Sequence, residues 1–192
     1  MGIFARLFEM DGERIPIFSE LYMYLFLGLI LARACDFGST WLATPNLQLE
    51  ANPVAKRLGW KWGILLNFVV STLLATYLVP AVMLITTSLL VAARNLDHAW
   101  LMRSMGEINY QMFMGAQLRK TSSGLVLGCF WGNGLIYFII GLLVALWTSN
   151  LFVQSIGFGI IGYSIAVVVF TTLSLWRSRR NFRYDVSVDM ES

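Results

Sequence analysis

The chain has 192 residues, 57% of them hydrophobic and 13% charged, with a net charge of +3 and a mean hydropathy of +0.67. A soluble domain carries about a quarter charged residues. Here the apolar residues come in long blocks, which excludes a soluble enzyme or a nucleic-acid-binding module and points to one all-α integral membrane domain over residues 1–192.

Residues 1–16 form the first predicted element. Ile3, Phe4, Leu7 and Phe8 share one helical face while Arg6 and Glu9 lie off it, the pattern of a short amphipathic helix on the cytoplasmic leaflet, with Pro16 ending it. The chain begins Met-Gly, but Arg6 stands where a myristoylation signal has Ser or Thr. The first apolar stretch, Leu21–Thr40, is longer than a signal-peptide core and has no small-residue cleavage site, so it is predicted to stay as a membrane helix.

That stretch carries Arg33 and Asp36. A helix entering the bilayer after Glu20 places them about 18 and 23 Å along its axis, within hydrocarbon depth. Three residues apart, they share a face and can pair, with Thr40 one turn beyond Asp36. A charge at that depth must be paired, hydrated or turned to a cavity; a staple between helices and a functional site both fit.

In the connection that follows, Asn52 and Pro53 read as the cap and first residue of a short helix that Gly59 ends, and Trp60, Lys61 and Trp62 mark the membrane interface. Capping leaves Glu50 unexplained. Asp36 and Glu50 suit oxygen ligation of a divalent ion or an acid–base pair. The second stretch, 62–93, would run about 48 Å as one helix, so a kink at Val79–Pro80 is predicted. It carries Asn67 and Ser71, and depth alone allows Arg33, Asp36, Asn67 and Tyr137 to converge.

Residues 94–122 read as a cytoplasmic loop. Leu101, Met105, Ile108 and Met112 recur at helical spacing beside Asp97, His98, Arg103 and Glu107, which predicts a methionine-rich surface helix, on headgroups or against a partner. The third span, 123–147, places Gly124, Gly128 and Gly132 on one face, a close-packing signal, with Gly159 and Gly162 of the fourth span, 151–176, as the internal mate and a second copy of the chain as the alternative. A basic tail, 177–192, completes the chain. Cys35 and Cys129 show no metal or disulfide spacing.

Four transmembrane helices with these boundaries put Arg6, Arg14, Arg94, Arg103, Arg119, Lys120, Arg177, Arg179, Arg180 and Arg183 on one side, and Lys56, Arg57 and Lys61 on the other. Ten against three places both termini in the cytoplasm of a cell inner membrane by the positive-inside rule. His98 is the one histidine, and no nucleophile motif, zinc set, phosphate loop, dinucleotide fingerprint or haem attachment signal appears, so no organic cofactor is expected.

Asp36, Thr40 and Glu50-Ala51-Asn52-Pro53 resemble the Asp…Thr…Glu-x-Asn-Pro pattern of a family of small multi-spanning prokaryotic membrane proteins of unknown function, over Leu21 to about Leu90. The resemblance implies that these residues form one site and brings no activity with it. Three functional readings remain open. The leading one is a non-enzymatic membrane component binding an ion or small polar ligand at the outer face through Arg33, Asp36, Thr40, Glu50, Asn52 and Asn67, transport-related or accessory. The others are a membrane-embedded enzyme using Asp36 and Glu50, with or without a divalent ion, and a structural subunit docking in a homo-oligomer or larger complex.

Overall fold

The computed structural model describes residues 14–50 and 52–189, with side chains as far as Trp176. Within them six helices and no strand form: α1 (Glu20–Ala43), α2 (Pro53–Leu74), α3 (Leu78–Met105), α4 (Glu107–Lys120), α5 (Ser123–Trp147) and α6 (Leu151–Asp189). The amphipathic face expected at residues 3–9 and the side chains of the basic tail lie outside the described residues.

Local chemistry sets the helix starts. Ser19 caps α1 by accepting the Tyr22 amide at 3.3 Å, and Glu20 suits the positive end of the helix dipole. Asn52 Oδ1 accepts the Val54 amide at 3.0 Å, with Pro53 as the first residue of α2, as the sequence predicts. Gly59 interrupts α2 at φ 66° and ψ −173°, backbone that a side chain strongly disfavours, so the expected break falls where a glycine can take it.

The predicted single helix over 62–93 does not form. The chain leaves helix at Ala75–Tyr77 and restarts at Leu78. Pro80 is therefore not a kink. It lies in the first turn of α3, where the missing N–H costs nothing because first-turn amides have no intrahelical acceptor. The expected loop at 94–122 is correspondingly helical: α3 continues to Met105, Gly106 turns the chain at φ 77°, and α4 follows, so Leu101–Met112 is two helices rather than one surface helix.

This break reorganises the bundle. At one end, the Ile15 amide donates to Thr76 O at 2.9 Å and Arg14 Nε to Tyr77 Oη at 2.9 Å. At the other, Trp60 Nε1 donates to Pro45 O at 2.9 Å. Between them α2 runs antiparallel to α1, Phe26 meeting Phe68 at 6.0 Å between ring centroids and Tyr22 Oη donating to Thr72 O at 3.4 Å. It thus carries the chain back, and α3 lies parallel to α1 (Arg33 beside Ser88, Asn95 beside Thr40, Glu107 beside Thr44). α6 runs with α3, Thr87 Oγ1 donating to Gly159 O at 2.9 Å and Arg94 Nη2 to Thr171 Oγ1 at 3.3 Å. α5 runs against α6, Trp131 Nε1 donating to Thr172 Oγ1 at 3.1 Å.

Four helices, Glu20–Ala43, Leu78–Met105, Ser123–Trp147 and Leu151–Trp176, are long and apolar enough to cross a membrane. The second of these replaces the predicted 62–93. The shorter α2 connects two parallel spans, so the chain passes along the bundle five times. One end holds residues 14–19, the 75–77 turn and the α5–α6 connection. The opposite end holds the α1–α2 connection, α4 and the C-terminal part of α6. The first and last of the described residues are therefore separated along the bundle axis, whereas four passes would bring them together.

Tyr22, Leu25 and Leu29 of α1 pack against Ala75, Ala81 and Val82 in the core near the first end. The α5–α6 contact is made by glycines, but not the expected ones. Open space surrounds Gly124, Gly128 and Gly132 among the described residues, and Gly159 meets Thr86 and Met83 O of α3 instead of α5. Gly134 and Gly141 carry the contact: a Cβ on Gly141 would lie 2.8 Å from Gly157 O and 2.9 Å from Ile161 Cγ1. Gly134 is two residues, or about 200°, around the helix from Gly132, which explains the difference of face. Gly141→Ala should destabilise the protein by about 1–3 kcal/mol. Gly128→Ala should be neutral or stabilising by up to about 1 kcal/mol through helix propensity. Thermal melting of the detergent-purified variants compares the two.

Candidate functional site

The α1–α3 interface changes character along its length. Below Arg33 it is apolar; from Arg33 to the second end it is polar. Arg33, Thr40 and Thr44 recur on the stripe of α1 that faces α3, and Ser88 and Asn95, seven residues apart on α3, answer them. Arg33 Nη1 donates to Asp36 Oδ2 at 2.6 Å and to Ser88 Oγ at 3.0 Å, and its guanidinium lies 5.5 Å from the Phe37 ring centroid. The pair predicted from its spacing is formed, with side chains 21% and 15% exposed, so neither charge is left bare and neither is sealed off. Arg33 Nε is buried and makes no hydrogen bond.

One turn further, Ser39 Oγ donates to Asp36 O at 2.9 Å, while Asn95 Nδ2 donates to Ser39 Oγ at 3.3 Å and Thr40 Oγ1 at 3.0 Å. Thr40 is thereby tied to α3. Glu50 acts electrostatically on Asp36, their like charges repelling, so the α1–α2 connection folds back toward the pair. The same carboxylate also accepts the Asn52 amide at 2.7 Å, closing the turn that leads into α2. Arg33, Asp36 and Thr40 thus line the polar half of α1, Glu50 comes near enough to act on Asp36, and Asn52 adjoins Glu50 through the turn into α2. Asn67 does not: its Nδ2 donates to Gly63 O of its own helix at 2.8 Å. Tyr137 also stays apart, packed edge-on against Tyr163 at 5.2 Å.

Beyond this corner lies a contact that sequence reasoning assigned to a surface helix. Glu107 begins α4 and is 9% exposed. Its Oε2 accepts from Thr44 Oγ1 at 2.8 Å and the Gln48 amide at 3.0 Å, and its Oε1 accepts from the Asn46 amide at 2.8 Å. Burial pushes this carboxyl's pKa up, but the bonds from Asn46, Thr44 and Gln48 outweigh it and hold the group below the usual carboxylate range. One charged side chain thereby fastens the α1–α2 connection to the α3–α4 junction. The signal available in sequence was a glutamate directly after a glycine at a helix start, and it became readable only once α3 was known to end at Met105.

Among the described residues no group of three or more His, Cys, Asp and Glu is arranged to hold a metal. Of the oxygen-ligand pair expected from sequence, Asp36 already has one oxygen taken by Arg33, and Glu50 acts on it only electrostatically. Chemically the corner offers two carboxylates with one guanidinium beside the first, flanked by hydroxyl and amide groups.

Comparison with protein-family models, curated proteins and solved structures finds no match.

Proposed function

We propose that this chain is a non-enzymatic multi-pass protein of a cell inner membrane that binds an ion or small polar ligand at the Arg33–Asp36–Glu50 corner, in a transport-related or accessory role. The observation that carries the reading is the placement of Asp36. It lies within a span, between a guanidinium that neutralises it and a second carboxylate that repels it. Ionisable residues within a span mark ion or polar-ligand sites more often than chance placement does, and the second carboxylate adds a negative charge that a cation would offset. Membership of the prokaryotic family with the Asp…Thr…Glu-x-Asn-Pro pattern is part of the same proposal, supported by Glu50 coming near enough to act on Asp36 and by Asn52 adjoining Glu50.

The orientation proposed differs from one with both termini in the cytoplasm. With five passes, Lys56, Arg57, Lys61, Arg103, Arg119 and Lys120 belong to the second end of the bundle, and Arg177, Arg179, Arg180 and Arg183 lie in the C-terminal part of α6 there. Of the described basic residues only Arg14 belongs to the first, and Arg6 precedes it in the sequence. Ten basic residues against two argue that the second end, the polar corner and the C-terminus face the cytoplasm, with the N-terminus outside. The redistribution follows from the break at Ala75–Tyr77, which moves Lys56, Arg57 and Lys61 to the side of α4.

Melting of detergent-purified protein against monovalent and divalent ions tests the ligand reading. A bound ion stabilises by about 2.7 kcal/mol at a hundredfold excess over its Kd, or roughly 5–10 °C for a chain of this size. The expected result is a saturable rise for one class of ion that disappears in Glu50→Gln. No rise for any ion leaves the structural-subunit reading, which the reach of Arg33 from α1 to Ser88 of α3 favours.

A further inference from the structure

Above the polar corner a cleft of about 470 Å³ opens between the α1–α2 connection and the α3–α4 junction. Its volume suits a headgroup-sized ligand. Two charged groups of opposite sign line it, Arg103 and Glu107, together with the amides of Asn46 and Asn109 and the apolar Met102 and Ile108.

Glu107 is not exhausted by its clamp. Oε2 takes two hydrogen bonds and Oε1 one. A carboxylate has about four acceptor positions; the Asn46 side-chain amide also bears on this one without a hydrogen bond of ordinary geometry, so Oε1 can still take a stronger, charged donor. Arg103 is exposed and makes no ion pair among the described residues. Its guanidinium lies 5.5 Å from the Trp41 ring centroid, a cation–π contact that positions the charge without neutralising it. A phosphate alone would meet repulsion from Glu107, and an ammonium alone repulsion from Arg103. A ligand carrying both satisfies both.

The surroundings fix its source. Trp41 is 51% exposed and Ile108 63% exposed, at the end of the bundle where an indole and an apolar side chain sit at the boundary between headgroups and acyl chains. We propose that this cleft binds the headgroup of a zwitterionic phospholipid bearing a primary ammonium, its phosphate on Arg103 and its ammonium on Glu107 Oε1. The binding does not depend on the Asp36–Glu50 reading. It predicts selectivity for a primary ammonium, since a trimethylammonium headgroup has no N–H to donate to Oε1.

Delipidated full-length protein in detergent is titrated with short-chain phosphatidylethanolamine, phosphatidylcholine and phosphatidylglycerol, and with soluble phosphoethanolamine, reading the melting temperature and the mass of bound lipid. Phosphatidylethanolamine is expected to bind saturably and about tenfold more tightly than phosphatidylcholine, the size of one lost charge-assisted hydrogen bond. Arg103→Gln, at an exposed position that leaves the Glu107 clamp intact, should weaken it by about tenfold or more. Equal affinity for the three lipids, or unchanged binding by Arg103→Gln, would overturn the proposal. Soluble phosphoethanolamine binding as tightly as the lipid would overturn the assignment to a lipid.

Discussion

Glu107→Gln should lower the stability of the folded chain by about 3 kcal/mol, seen as a fall of roughly 6–12 °C in melting temperature. Three donors converge on this carboxylate: the Thr44 hydroxyl and the Asn46 and Gln48 amides. A glutamine retains one oxygen, but its NH₂ group then faces donors, and at least one backbone amide in a tight connection loses its acceptor. The effect should depend on pH in a defined direction. The folded-state pKa is held below the ordinary value, so the native state binds fewer protons than the unfolded chain. The stabilisation is complete above the unfolded carboxyl value of about 4.3 and declines as pH falls through the lower folded value. Wild-type and glutamine proteins should therefore differ most at neutral pH and converge in acid. A difference that grew in acid would contradict the hydrogen-bonded carboxylate.

Asp36→Leu should cost about 2–4 kcal/mol, because Arg33 is left charged at membrane depth with Ser88 as its remaining partner. The lower part of that range applies if Arg33, 21% exposed, reaches water. Replacing both residues, Arg33→Leu with Asp36→Leu, should recover most of the loss, since an apolar pair of similar size often matches a buried ion pair. Melting temperatures of the two single variants and the double variant give the coupling directly. Additive losses would mean that the two charges act independently. The double variant should also lose any ion-induced stabilisation even where it folds normally, which separates the role of the pair in packing from its role in binding.

Much of this arrangement was legible in the residues. The apolar lengths marked α1, α5 and α6; Asn52 and Pro53 placed the start of α2; and Gly59 announced its own break. The spacing of Arg33 and Asp36 gave their pairing. What was not legible was the turn at Ala75–Tyr77, buried in the run Leu73–Met83, which contains neither charge nor glycine. Hydropathy reads such a run as one span, and the proline within it reads as a kink or as a helix start with equal ease. One unseen turn then misplaced the end of α3, hid Glu107 in a loop and put Lys56, Arg57 and Lys61 on the wrong side of the account. The internal mate expected for Gly124, Gly128 and Gly132 was misplaced for another reason. Small-residue spacing identifies a face that can pack closely, and here Gly134 and Gly141 on another face do so, because Gly157 of α6 presents the matching gap. Rotation about a helix axis is set by its neighbours, which a single sequence does not display.

An alternating five-pass path puts the polar corner and its basic rim, in the orientation we propose, on the cytoplasmic side. Paired fusions in a bacterial host test it most directly: a fluorescent protein or an alkaline phosphatase at the C-terminus, and an epitope at the N-terminus probed on intact spheroplasts. The account predicts a fluorescent C-terminal fusion, an inactive phosphatase and an N-terminal epitope open to antibody from outside. An N-terminal epitope protected until the membrane is broken, together with a cytoplasmic C-terminus, would contradict it and restore an even number of passes.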